Sequence, residues 1–513
     1  MDTSTASRKP LKSMESANEL FRPHISPWRL IPVVIMYHCA AGIVDITATL
    51  SIFRACRAQM NSLPDECTIF SQTVNIHSVT QAVILSQITM NTLTTGFWTR
   101  FGDIYGRRSV LIVCVSTPIV QYIIAILGNT EFLAPYAFPL SMLATVVDGI
   151  AGGGATFTAV TLAFSNDFVS PKWRVSWFAL LRGLDSLCTM IRMFSLGLKS
   201  TFGLHHNGED TRPAILLNLT IGFVVSVLAT ALAAFLLPER TAAPAARARE
   251  GYQRPSHPRG LAKQLLSGFT SMVTVFNPET ERSGPKMWMF GLGVLTFSLA
   301  STVSGKQLGY TLGGFGSFHI PFVRLVGYTA IFGIPLAYLI LIPAVTLLFN
   351  SKPRITLADD FEAKARPIVR LNIGIVFGSI LVDSLGFAVA EFAGRPSKVF
   401  ASSLYLVTSL LKAASEPAVF ALGATYLDIL GQASETGTLF GALAVIKELG
   451  TLAMILTTGI FLPTEGSQTP GPASSWVLKL TGGALWLAGA LILASNYLRR
   501  ESIKSRGPSQ KRI

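Results

Sequence analysis

The chain has 513 residues, of which 50% are hydrophobic and only 14% charged, and its mean hydropathy is +0.49. That balance excludes a water-soluble protein of this size and reads as a polytopic membrane protein, in which about twenty apolar residues at about 1.5 Å each cross a hydrocarbon core of about 30 Å as a self-satisfied helix. The formal net charge of +14 is then a matter of where the basic residues lie, and it calls for a lipid bilayer as partner and not for nucleic acid.

Residues 1–27 are polar and carry Arg8, Lys9, Lys12 and Arg22, so they read as a tail. Apolar runs follow at about 28–50, 77–98, 109–128, 135–164, 175–199 and 213–237, which we number spans 1 to 6. The first is too long for a removable signal and lacks a small-residue cleavage site, so it is read as retained. Residues 238–286, including "PERTAAPAARAREGYQRPSHPRG", are too polar and too rich in helix breakers to pack a core and read as a linker. Within it, "LAKQLLSGFTSMVTVF" fits an amphipathic helix on the membrane surface or an ordinary linker helix. Spans 7 to 12 follow at about 287–304, 325–349, 368–391, 399–424, 437–461 and 475–498, and residues 499–513 form a basic tail. The predicted fold is therefore an all-α membrane protein of twelve transmembrane helices, in halves 28–237 and 287–498.

Lys and Arg concentrate in the N-terminal tail, in 99–108, at Lys172 and Arg174, in the linker, between Lys352 and Arg370, and in the C-terminal tail. The positive-inside rule puts all of these, and so both termini, in the cytoplasm. Cys56 and Cys67 then share the loop between spans 1 and 2 on the opposite, oxidising side, where one disulfide would be permitted by the compartment. Five cysteines make no disulfide framework, and no CxxC, HExxH or Walker-type motif is present, so no metal, cofactor or ATP site is expected.

Between spans 2 and 3 stands "GFWTRFGDIYGRRSVL", residues 96–111. A very short connection needs tight backbone geometry, which Gly102 and Gly106 supply, while Asp103 suits a helix N-terminus or an arginine and would tie one part of the bundle to another. With six plus six spans, internal termini and a long middle loop, this stretch resembles the major facilitator superfamily, particularly its fungal members. Their loop between helices 2 and 3 is matched by Gly96, Asp103, Gly106, Arg107 and Arg108, and the resemblance implies a conformational latch carried by Asp103, Arg107 and Arg108. Thr99 stands where relatives commonly have Gly, and Ile104 where they commonly have a basic residue.

Span 4 and its exit also fit the resemblance through Asp148, Gly149, Gly152, Gly153, Asp167 and Arg174. Thr145 replaces an arginine common in relatives, and span 5, "GLDSLCTMIRMFSLG", lacks the Gly and Pro pattern of drug/proton antiporters, two departures that weaken the case for proton-coupled antiport.

Ionisable residues at membrane depth cost about 3 kcal/mol each on translocon scales unless they are paired or face a wet cavity. Here they are Asp45, Asp148, Arg182, Asp185, Arg192, Asp383, Lys412, Glu416, Lys447 and Glu448. Helical spacing would pair Lys412 with Glu416 and Asp185 with both Arg182 and Arg192. The resemblance implies that spans 1, 4, 7 and 10 line a central cavity and that spans 2, 5, 8 and 11 join the halves. It thereby makes Asp45, Asp148 and Glu416 candidate proton or substrate groups, with Lys412 or Arg182 able to meet an anionic substrate.

Three functions fit: a secondary transporter working by alternating access, a membrane-embedded enzyme of lipid or isoprenoid chemistry, and a transporter-like sensor. "DDFEAKAR" at 359–366 resembles a diphosphate motif but no second acidic motif accompanies it, so the enzyme is set aside. The resemblance favours efflux of a secondary metabolite, toxin or drug from the plasma membrane or an endomembrane such as the vacuole, with nutrient uptake as the alternative, and the cost of a charged carboxylate at depth points to protons as a coupling ion. Protease-protection of tags at either terminus and within 240–285 should place all three on one side, and the 56–67 loop on the other. A linker opposite the N-terminus would contradict the twelve-span arrangement.

Overall fold

The computed structural model describes residues 26–58, 66–69, 72–130, 132–133, 136–201, 212–238, 261–277, 286–313, 333–350, 361–392, 410–411, 413–430, 432–461 and 483–495. Lys412 lies outside these residues, as do His205 and His206, and the side chains of Asp45, Cys56, Cys67, Arg192 and Asp383 also fall outside what is described.

Ser26 accepts from the Trp28 backbone N–H at 3.4 Å, and Pro27 opens a short 3₁₀ turn that leads into α1, Leu30–Ala58. Proline at a helix start sacrifices an N–H that has no partner there anyway. The helix runs well past the expected end of span 1, so Cys56 lies on α1 and not in a loop. Cys67 lies on a strand: β1, Glu66–Ile69, pairs antiparallel with β2, Gln72–Asn75. This hairpin was not anticipated, although β-branched Thr68, Ile69, Thr73 and Val74 favour extended backbone.

Helix α2, Ile76–Tyr105, and helix α3, Arg107–Gly128, are separated by Gly106 alone. The charged stretch expected as a turn is thus helical up to Tyr105, and Gly102 sits inside a helix. Only Gly106 carries the special geometry, with φ of 115°, a region that side-chain-bearing residues rarely enter. Span 4, expected as one helix, is two: α4, Ala137–Ile150, and α5, Gly153–Asn166. Gly152 and Gly153 make the break, with φ of 94° and 53°. After a turn at Pro171–Trp173 come α6, Arg174–Thr201, and α7, Arg212–Leu236.

The linker contains α8, Leu261–Val275. Beyond it lie α9, Met287–Gly313, a π turn at Ala337–Leu341 leading into α10, Ile342–Asn350, then α11, Phe361–Phe392, α12, Ser415–Leu430, α13, Thr436–Phe461, and α14, Gly483–Ser495. Among the described residues five helices are long and apolar enough to cross a membrane, and three shorter apolar ones accompany them. The count of twelve spans and the side on which the termini lie rest on the sequence.

In the first part of the chain α1 packs on α6 and α7, α2 on α4, and α3 on α4 and α7. In the second, α9 packs on α13 and α11 on α12. The two parts meet where α2 and α5 lie along α13, α6 along α12, and α6 along α10 with its π turn. Phe440 of α13 sits between Phe178 of α6 and Phe420 of α12, with ring centroids 5.6 and 5.4 Å away, all edge-on. In lipid, helix association rests on such close packing and on small residues, because the tails are as apolar as the side chains. Leu217, Val224, Leu228 and Phe235 of α7 accordingly stay exposed.

Tyr122 is fully buried on α3, and its hydroxyl donates to the Ala40 carbonyl of α1 at 2.6 Å. It reaches that carbonyl because Gly222 of α7 has no Cβ, which would overlap the phenol. Gly222→Val should lower stability by about 2–3 kcal/mol through overpacking and loss of this bond, read as the thermal unfolding midpoint in detergent, whereas Tyr122→Phe should cost about 1 kcal/mol.

Candidate functional site

At the end of α2, Asp103 is buried against the other part of the chain. Its carboxylate accepts from the backbone N–H groups of Gly437 at 3.2 Å and Thr438 at 2.7 Å, and from the Thr438 hydroxyl at 3.0 Å. These residues are the first turn of α13, whose leading N–H groups have no intrahelical acceptor. A carboxylate there gains both the hydrogen bonds and the favourable end of the helix dipole. Arg107 Nη2 holds the same carboxylate at 2.9 Å, while its Nη1 reaches Asp167 at 2.7 Å and the Ala163 carbonyl at the end of α5. Arg108 donates to the Ala234 carbonyl at 2.6 Å, tying α3 to α7. A second ion pair crosses between the parts on the same face, Arg174 with Asp428 at 2.5 Å. Asp428 was not singled out in the sequence, because nothing local to α12 marks its partner.

Gly96 meets the linker helix. A Cβ on Gly96 would fall 2.6 Å from Met272 and 3.1 Å from the Gly268 backbone, and one on Gly268 would fall 2.6 Å from the Phe97 nitrogen. Arg100 completes this seat by donating to the Ser267 carbonyl at 2.6 Å, and Met272 packs on Ala442 and Val445 of α13. The amphipathic helix therefore lies across α2 and α13 and not on lipid alone. Thr99, where relatives commonly carry Gly, is buried against Gly441, so the small residue is supplied by α13.

Deeper in the bundle a chain of polar and charged side chains runs from α1 to α13. His38 Nδ1 lies 3.0 Å from Asp185, Asp185 lies 3.2 Å from Arg182, Arg182 is bound to Glu416, and Lys447 lies 2.9 Å from Glu416. Glu416 is thus held across the boundary by Arg182 and from its own side by Lys447; its expected pairing with Lys412 lies outside the described residues. The Arg182–Asp185 pair forms at its helical spacing; His38 was missed, as a lone histidine in an apolar run carries no local signal. This chain borders a cavity of about 370 Å³ also lined by Tyr37, Gln87, Asn91, Asp148 and Gly154. Asp148 is buried in the last turn of α4 and accepts from Gln87 Nε2 at 3.1 Å. The lining brings α1, α2, α4, α5, α6, α12 and α13 to one polar space between the parts.

No protein-family model and no curated protein matches the sequence. Solved structures do match in shape. A major facilitator superfamily transporter, FucP in the outward conformation, aligns with TM-score 0.58 at 12% identity, over 92% of this chain and 99% of that one. The fold is that of the major facilitator superfamily. The human organic anion transporter MFSD10 aligns with TM-score 0.56 at 15% identity, over 92% of this chain and 100% of its own. A bacterial homologue of the iron transporter ferroportin, outward-facing with soaked iron, gives 0.55 at 11%, over 92% and 99%. At such identities the likeness concerns the major facilitator fold, and the chain is by that fold and its apolar helices an integral, multi-pass membrane protein.

The exchange of small residues between α2 and α13 is open to a direct check. Gly441→Ala should destabilise by about 1–3 kcal/mol, because its methyl overlaps Thr99, and adding Thr99→Gly should restore most of the loss. Thermal unfolding of the two single variants and the double variant measures the coupling; additive effects would contradict the contact.

Proposed function

We propose that this protein is a secondary active transporter, not an enzyme, and moves a small organic molecule by alternating access between two six-helix halves. The observation that carries this reading is the pairing of a polar cavity at the boundary between the halves with a bridge on one face, where Asp103 holds the N-terminus of α13. Such a bridge has acceptors and donors in one state and none in the other, which is what a switch between two arrangements requires. Asp103, Arg107 and Arg108 act as the latch of the closed face, with Gly96 and Gly106 shaping it. Arg174 and Asp428 reinforce it.

Residues 28–237 and 287–498 are the moving halves, and 238–286 the cytoplasmic linker whose helix α8 rests on both. Export of a metabolite, toxin or drug is the direction we propose, on the fungal-type residues quoted above. Uptake is a second reading, favoured by the polar lining of the cavity and by the solved relatives of this fold described as a fucose:proton symporter and a proton:xylose symporter. Protons are the proposed coupling ion. Asp148 is their leading carrier, followed by Asp45, because Glu416 is already engaged by Arg182 and Lys447.

Proteoliposome flux with and without an imposed pH gradient tests the reading. Wild-type flux should follow the gradient, Asp148→Asn should lose that dependence, and the sign of net flux under opposed gradients gives the direction. Gradient-independent flux would return Asp148 to a structural role.

A further inference from the structure

The break in span 4 leaves an asymmetry in its hydrogen bonding. On the α4 side the terminal carbonyls are taken by α2: Thr94 donates to the Gly149 carbonyl at 2.5 Å, and Trp98 Nε1 to the Ile150 carbonyl at 2.8 Å. On the α5 side the cap is Gly152, which offers no side-chain bond, and among the described residues no acceptor is found for the N–H groups of Gly153, Gly154 or Ala155. Gly154 and Ala155 border the cavity. A helix start with open N–H groups and a positive dipole end facing a polar space favours a carboxylate or another anion.

A second observation points to a ligand at the same place. Asn91 of α2 is only 5% exposed, borders the cavity, and lies where a side chain on Gly153 would sit, yet its Oδ1 has no hydrogen-bond partner. A buried carbonyl oxygen without a donor costs about 1–3 kcal/mol, so a donor supplied by a ligand would be strongly felt. Asp148, also 5% exposed, stands one turn before the break and borders the same space. Acceptors and donors therefore lie side by side.

Charge decides what fits both. A simple anion at the N–H groups would face Asp148, and a simple cation at Asp148 would face the dipole of α5. The cavity's other cations, Arg182 and Lys447, are both engaged with Glu416. A molecule with both charges a few ångströms apart meets neither repulsion. We propose that the break seats a small amino-acid-like zwitterion, its carboxylate on the N–H groups of Gly153, Gly154 and Ala155 and its ammonium between Asn91 and Asp148. This rests on the transporter reading for its purpose but not for its chemistry. A cavity of about 370 Å³ has room for a free amino acid.

Gly154 gives a clean probe, because a Cβ there would meet only the Tyr37 hydroxyl, at 3.8 Å, so a larger side chain enters the cavity without clashing with the helices. The full chain in nanodiscs is titrated with each free amino acid at millimolar concentration, and with the amine and the carboxylic acid that remain when one charged group is removed. At least one amino acid should bind, and both of its single-charge counterparts should bind at least about tenfold more weakly. Gly154→Val should weaken that binding at least about tenfold while the unliganded unfolding temperature holds or rises. Equal binding of the amine or the acid, no binding by any amino acid, or full binding by a folded Gly154→Val overturns the inference. Binding without flux in proteoliposomes would leave it standing and remove the transporter reading. Flux of an uncharged solute without amino-acid binding would do the reverse.

Discussion

The first N–H groups of α13 find their acceptor in another part of the molecule, on Asp103 of α2. The leading N–H groups of any helix have no intrahelical acceptor, so a side chain that reaches them supplies one. Here it is a carboxylate that Arg107 aims, and Arg107 is in turn fixed by Asp167 at the end of α5. The consequence is that α2, α3, α5 and α13 share one polar node. Hydrogen bonds to charged groups contribute about 1.5–3 kcal/mol each, and a shift from 1:99 to 99:1 between two states needs about 5.5 kcal/mol, so a node of this size is able to set the balance between arrangements of the halves.

The rest of the boundary is built so that this node is reached. Glycines at 96, 268 and 441 allow backbones to approach, and Phe440 fills the space between Phe178 and Phe420. Deeper in, the chain from His38 to Lys447 crosses between the parts through the Arg182–Glu416 pair, next to a cavity. Opposite charges at membrane depth offset much of one another's burial cost, and these lie beside a polar space.

Among the described residues hydropathy located the apolar helices but not all their bounds, since the first runs on to Ala58 and span 4 is two helices. The 96–111 stretch was legible only in part: Gly106 does make the tight connection, but the residues up to Tyr105 are helical and not a turn. The break in span 4 was less so, since Gly149, Gly152 and Gly153 read equally as packing positions, and only the positive φ values separate a break from a contact. Partners across the boundary could not be read at all. Arg182 was assigned to Asp185 by helical spacing, but its bond to Glu416 joins residues far apart in the chain, and the same holds for Arg174 with Asp428. The β1–β2 hairpin was hidden inside a loop whose polar residues carry no clear alternation.

The central claim is that Asp103 on α13 holds one face of the bundle closed. Ser109, in the first turn of α3, and Ser434, in the turn before α13, are exposed on the two sides of that face. Spin labels on cysteines placed there, in a chain without its native cysteines, report the separation by double electron–electron resonance. The account predicts one short distance in the parent and a second, longer population when Asp103→Asn is added. The same single distribution in both would contradict it.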